Sequence, residues 1–448
     1  MSKTWSVDEH LEDILRSIRP MEPIELKLLD AQGCVLVEDV IVPGALPPFD
    51  NSSMDGYAVR IADVEGASEE FPAVLTVIGD VAAGSDDLPT VAGGQTARIM
   101  TGAPLPPGAE AVVPVEWTDG GTGGGPADSM PARSTSLVGA LGEVRVHRPV
   151  TARQHVRAQG SDVQPGTVAL TAGTVLGPPQ IGLLAAIGRG SVTVRPRPRV
   201  VVLSTGSELV PPGEPLGPGQ IHDSNSFVLT AAARDAGAIA YRVGAVADDA
   251  EGLRATIEDQ LIRADLVVTS GGVSVGAYDV VKEALSRVDT FSGRDAHGDQ
   301  ETDGARDGVE FRRLAMQPGK PQGFGLIGPE RTPILTLPGN PVSAYVSFEL
   351  FVSPALRALM GHDPARRKAV PARLESDSAL SSPEGKRQFL RGYYTPPEKS
   401  DTPGTVRPVG GASSHLIAAL AQANALIDIP EKTSEIAPGE EVTVVPLD

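Results

Sequence analysis

Between residues 181 and 362 the chain alternates runs of β-branched apolar residues with stretches of helical periodicity. Arg199–Ser204 reads as a buried strand, Ser224–Ala236 as a helix and Ala238–Val246 as a second strand. The acidic pair Asp248–Asp249 opens a helix running to about Arg263, Asp265–Ser270 is a third strand, and Asp279–Ser286 another helix. Strands that return through helices lie parallel with right-handed crossovers, so helices should cover a parallel-rich sheet as a three-layer α/β/α domain. The segments that follow those strands, STGSE, ADD and SGGVSVG, should then gather at the carboxyl edge of one sheet, where open α/β folds bind ligands.

The flanking regions have a different grain. Val7, Leu11, Ile14, Leu15 and Ile18 fall at helical spacing behind an acidic first turn, and Pro20 stops that helix. Residues 24–149 break into short alternating segments such as Val74–Ile78 and Glu143–His147, which predict an inserted β-rich domain. Within it, Thr118–Thr135 contains GGTGGGP and reads as a mobile loop. Residues 363–448 return to strand-like runs, Thr405–Val409 and Glu441–Val445, and predict a C-terminal β-domain. Ser292–Gly308 is polar and acidic, a solvated insertion without assigned chemistry. A chain of 448 residues divided this way is a multidomain α/β plus β protein.

A formal charge of −19, from 57 acidic and 38 basic residues, repels nucleic acid and anionic membranes, so neither is an expected partner. A polyanionic ligand would need a local basic pocket. The single cysteine, Cys34, excludes a disulfide framework, and no CxxC or HExxH run offers a zinc site. The first twenty residues carry charges throughout instead of an apolar stretch, and about 18 apolar residues never run together. The expected setting is cytoplasmic.

Glycine loops after strands let backbone N–H groups approach oxyanions closely. Ser204–Glu208 and Ser270–Gly276 fit, although each alone is equally an ordinary tight turn. Glu208, Asp223, Asp248, Asp249 and Asp279 bring carboxylates to the same edge, which suits magnesium bridged to phosphate oxygens; for Asp223 and Asp248 a helix N-cap is the plainer alternative. Arg312, Arg313 and Lys320 around MQPGKPQG supply counter-charge, or Lys320 is simply an exposed turn lysine. LPGNPVSA places Asn340 and Ser343 at a helix start, either an anion site or a capped turn. DNSSMDGYAVR, residues 50–60, is a polar loop entering a strand, and its local pattern does not choose between a site and a turn.

FDNSSMDGYAVR, RIMTGAPLPPGAEAVVPVE, STGSELVPPGEPLGPGQIHDSN, TSGGVSVGAYDVVKEAL, MQPGKPQGFG and LPGNPVSA occur in this order, and the chain resembles over nearly its whole length the MoeA family of molybdopterin molybdenumtransferases and the E domain of gephyrin. The resemblance implies a homodimer of four-domain subunits. It implies a discontinuous first domain from residues 1–23 and 150–180, a second domain at 24–149, a molybdopterin-binding third domain at 181–362 and a fourth at 363–448. It also implies an active cleft between the third domain of one subunit and the first two of its partner.

The function implied is insertion of molybdate into adenylylated molybdopterin with magnesium-dependent release of AMP, downstream of a molybdopterin adenylyltransferase. By the same resemblance, Asp55, Thr101, Glu208, Asp248 and Asp279 are catalytic, with the last three holding magnesium. It also implies that Asp162, Ser274, Lys320, Lys386, Arg391 and Ser413 bind substrate, and the loop readings add Ser270, Gly271, Gly272, Arg313, Pro321, Asn340 and Ser343 to the substrate-binding set. Gln317 stands where many relatives carry lysine, which shifts molybdate binding towards Lys320. Two other readings fit the fold: the adenylylation step itself, which would produce pyrophosphate from ATP, and a gephyrin-like scaffold, which would hold a peptide partner.

Overall fold

The computed structural model describes residues 3–130, 142–246, 249–272, 280–285, 308–397 and 402–447. The chain forms two compact units, one of Met1–Val37, Gly173–Gly177 and Val192–Asp448, the other of Glu38–Ala172 and Pro178–Ser191.

The first unit is built on a seven-stranded sheet with the order Thr4–Trp5, Gly308–Leu314, Pro321–Ile327, Thr332–Leu337, Leu266–Ser270, Arg199–Thr205, Ile239–Val246. The last four strands run parallel, as expected, whereas Pro321–Ile327 is antiparallel to both its neighbours and makes the sheet mixed. Alternation along the strands sorts side chains onto two faces. Val200, Val202, Leu266, Val268, Leu335 and Leu337 share one core with Leu229, Phe348, Phe351 and Leu356. Val201, Leu203, Val267 and Ile334 share the other with Leu253, Ile257, Val281 and Leu285. Because these partners come from helices, the body is a three-layer α/β/α sandwich.

The N-terminal helix Val7–Ser17 starts at a capping box, in which Glu9 N donates to Ser6 Oγ at 3.0 Å and Ser6 N donates to Glu9 Oε2 at 2.8 Å. Such a cap contributes about 1 kcal/mol. Its apolar face, Val7, Leu11, Ile14 and Ile18, packs into the first core of the sandwich. The helix buries its stripe against the sheet's helices, and residues 150–172 lie in the other unit. The run Pro341–Leu359 is long and apolar enough to cross a membrane, but 78% of it is buried inside this unit as a core helix, with a π-helical turn at Phe348–Val352.

The C-terminal strands close a barrel. Arg387–Thr395, Gly404–Pro408, Val370–Leu374, Glu441–Pro446 and Ala425–Ile429 pair in that order, and Ala425–Ile429 pairs back onto Arg387–Thr395. Closure satisfies every strand edge.

The second unit carries a five-stranded sheet ordered Glu143–Val146, Ala73–Val81, Gln95–Ile99, Gly56–Val59, Ala111–Pro114. The start of the glycine-rich segment is tied down by Asp119, while residues 121–126 are exposed. The buried Asp119 carboxylate accepts hydrogen bonds from Gly121 N, Gly123 N and Arg145 N at 2.9, 3.0 and 2.9 Å. Residues 131–135 of that loop, and all but the last residue of the 292–308 insertion, lie outside the described residues.

Candidate functional site

Sheet register places the sequence-predicted loops side by side. Thr205 pairs with Val246, Ser204 with Ser270, and Ser270 with Leu337. Three parallel strands thus finish in one row, and the segments 206–208, 271–272 and 338–340 leave from it. Pro321–Ile327 runs the opposite way, so it begins at this same edge, and Arg313 pairs with Pro321 there. Glu208, Arg313, Lys320 and Asn340 are all exposed along the rim.

The glycines are required by space. At Gly271, φ is +101° and a Cβ would come 2.6 Å from Thr205 O; at Gly272, φ is +63° and a Cβ would overlap the Val281 side chain. Only glycine lets this loop lie flat on the strand ends, where Gly271 N donates to Leu337 O at 3.1 Å.

The barrel reaches the same rim. Met316–Gln317 pairs in parallel with Arg387–Gln388, and Arg387 N donates to Ala315 O at 2.9 Å, so Lys386 sits beside the Lys320 turn. Val342 N donates to Ser414 O at 3.0 Å, and Asn340 Nδ2 donates to Ser414 Oγ at 3.1 Å. Ser413 is exposed in that return loop. Arg391 is only 2% exposed and donates through Nη2 to Gly411 O; burial pushes its pKa down. Its place is beneath the loop rather than on the open surface.

Other expectations change with burial. Arg312 is not open counter-charge. It is buried, paired with Asp13 at 2.6 Å and Glu310 at 2.8 Å, hydrogen-bonded to His10 Nδ1 at 3.1 Å and stacked on Trp5 at 3.9 Å. Strand alternation turns Arg313 the other way, where it stays exposed. Ser270 and Ser343 are buried, and Ser270 Oγ is engaged with Asn225 and Pro338. Asp223 takes the capping alternative: it is buried and accepts from Ser226 N and Oγ at 3.1 and 2.5 Å. Asp249 caps its helix by accepting from Gly252 N at 2.7 Å. Asp248, Ser274 and Asp279 lie outside the described residues. Among the described residues no group of three or more His, Cys, Asp or Glu is placed to hold a metal.

In the second unit Asp55 and Thr101, far apart in sequence, meet. Asp55 Oδ1 accepts from Thr101 N at 2.7 Å and from Thr101 Oγ1 at 2.9 Å, and the carboxylate is exposed. Gly56 is obligatory beside it, since a Cβ would overlap Val113 O on the adjacent strand. Asp50 pairs with Arg153 at 2.5 Å and accepts from Gln159 N at 2.8 Å, which hold its carboxyl down at about 2. Asp162 is exposed, and its N donates to Leu46 O at 3.0 Å. Sequence reasoning passed over Asn225 and Ser414. HDSN was read for its acid and ASSHL for its first serine, and no local signal tells which polar residue faces the rim.

An α/β sandwich with a glycine-lined rim, joined to a closed barrel, defines a multidomain protein whose sheet carries its loops at one carboxyl edge. Residues 5–188 match the MoeA N-terminal region (domain I and II), 201–358 a probable molybdopterin binding domain, and 372–447 the MoeA C-terminal region (domain IV). Molybdopterin molybdenumtransferase 2 of Mycobacterium tuberculosis is 45% identical over 442 residues, covering 98% of each chain. The molybdopterin molybdenumtransferase of Haemophilus influenzae is 33% identical over 429 residues, covering 96% of this chain and 95% of its own. The crystal structure of the molybdopterin biosynthesis MoeA protein from Pyrococcus horikosii superposes with a TM-score of 0.71 at 31% identity, with 100% of both chains covered. The chain belongs to the MoeA family of molybdopterin molybdenumtransferases.

Proposed function

We propose that the chain is a cytoplasmic molybdenum insertase that transfers molybdate to the dithiolene of adenylylated molybdopterin and releases AMP. The observation that carries this reading is the shared rim, where the ends of Arg199–Thr205, Leu266–Ser270 and Thr332–Leu337 meet the Lys320 turn and the barrel loop at Ser414. Names of relatives support the reaction class. In this reading the pyrophosphate lies against the glycine turn at Gly272, the partly exposed residue of the loop. Lys320 and Arg313, with Lys386 from the barrel, offset the charge of the oxometalate and phosphate oxygens.

Magnesium prefers hard oxygen ligands and would neutralise phosphate charge. Glu208, a free-standing rim carboxylate, suits it, and the resemblance adds Asp248 and Asp279. No covalent nucleophile is assigned: Cys34 is buried, and burial pushes its thiol pKa up, away from the reactive thiolate. Asp55 and Thr101 would act on the substrate from the partner subunit of a homodimer, which an upstream molybdopterin adenylyltransferase supplies.

The test is AMP release by the purified protein given adenylylated molybdopterin, molybdate and magnesium. Molybdate-dependent AMP is expected. Pyrophosphate from ATP, with no AMP from the adenylylated substrate, would replace this reading with the adenylylation step.

A further inference from the structure

The helix Asn225–Asp235 begins at the rim, and its first residue points back across it. Asn225 Nδ2 donates to Ser270 Oγ at 2.8 Å and to Gly339 O at 2.6 Å. One amide therefore ties the glycine loop after Leu266–Ser270 to the turn after Thr332–Leu337. Ser270 Oγ, having accepted from Asn225, donates onward to Pro338 O at 3.3 Å, so the relay has one direction. The Asn225 Oδ1 is buried and accepts no hydrogen bond among the described residues. A flipped amide would set that oxygen against the Gly339 carbonyl, so only the two-donor orientation works.

Buried Asp223 fixes the helix start through Ser226, and Gly339 lies close over Gly271, where a Cβ on Gly339 would sit 3.5 Å from Gly271 Cα. The two segments also meet directly, through Ser270 Oγ to Pro338 O and Gly271 N to Leu337 O at 3.1 Å, and Asn225 is the side chain that bridges them from the helix start. The relay also explains why Ser270, 1% exposed, has its hydroxyl hydrogen committed to the protein.

We infer that Asn225 is a positioning residue, which holds the Ser270–Gly272 loop and the Pro338–Asn340 turn at the spacing the adenylylated substrate requires. It acts through those backbones and is not itself a catalytic group. This inference rests on the insertase reading for its kinetic arm only.

Two measurements test it. In hydrogen exchange, Asn225→Ala should raise exchange in peptides covering residues 270–272 and 339–340 while leaving the barrel strands unchanged; unaltered exchange at the rim overturns the inference, whatever the reaction is. In single-turnover AMP release, Asn225→Ala should slow the bound-substrate step by roughly 10–100-fold, with the molybdate concentration dependence kept, since small misplacements cost that much. Adding Ser270→Ala to Asn225→Ala should cost little more, and multiplying losses would mean the two residues act independently and overturn the relay. Should Asn225→Ala not fold, Asn225→Asp keeps the shape and removes both N–H donors. Its deficit relative to the unsubstituted protein should shrink towards acid pH, as protonation restores one donor, and a ratio flat with pH overturns the assignment. If the unsubstituted protein releases no AMP, the insertase reading fails, and the exchange measurement still decides the role of Asn225.

Discussion

Asn340 and Ser414 join the rim of the α/β sheet to the return loop of the barrel, Nδ2 to Oγ at 3.1 Å, beside the backbone bond from Val342 N to Ser414 O at 3.0 Å. The side-chain bond is exposed and the backbone bond survives its loss. Asn340→Ala should therefore cost no more than about 1 kcal/mol in chemical denaturation. AMP release should fall by a larger factor than that stability change accounts for, because the Ser414 hydroxyl loses the partner that orients it beside Ser413 on the rim.

Arg312 and Arg313 are neighbours with opposite roles. Arg312→Ala removes the buried member of the cluster with Asp13 and Glu310 and strips the stack on Trp5, and because those carboxylates stay partly solvated, a loss of roughly 2–3 kcal/mol is expected from denaturant midpoints. Arg313→Ala and Lys320→Ala remove exposed charges and should leave the midpoint within about 0.5 kcal/mol. Both should raise the molybdate concentration needed for half-maximal AMP release.

His10 gives the fold a pH dependence. It is buried between Arg312 and the Phe351 ring, and burial first, then the Arg312 charge, holds its pKa down at about 3 from an ordinary 6.5. The unfolded chain then binds more protons between those values, so stability should fall as pH drops from about 6.5 towards 3. At pH 5 the loss from this group is about 2 kcal/mol. Urea melts at pH 7 and pH 5 check it: His10→Gln should lose most of that difference, and an unchanged difference would place the titration elsewhere.

The sandwich was legible because its elements are local in cause. Arg199–Thr205, Asn225–Asp235, Ile239–Val246 and Leu266–Ser270 fall within a residue or two of the segments read from apolar periodicity and turns. The rim followed from their order. What could not be read depends on distant partners. Amphipathicity at Val7–Ser17 announces a buried stripe, but not that Phe351 and Leu356 cover it. The charge of Arg312 looks identical to that of Arg313 until strand alternation and Trp5 separate them. The antiparallel course of Pro321–Ile327 and the closure of the barrel through Ala425–Ile429 are pairings between segments, invisible in either one.

The most direct measurement is anomalous X-ray diffraction at the molybdenum absorption edge from crystals of the protein soaked in molybdate. A peak at the carboxyl rim, within contact of Lys320 and the Lys386 side of the barrel, is the result expected. A peak confined to the opposite end of the sheet, in the 960 Å³ cavity lined by Arg16, Arg199 and Arg331, with the rim empty, would contradict it.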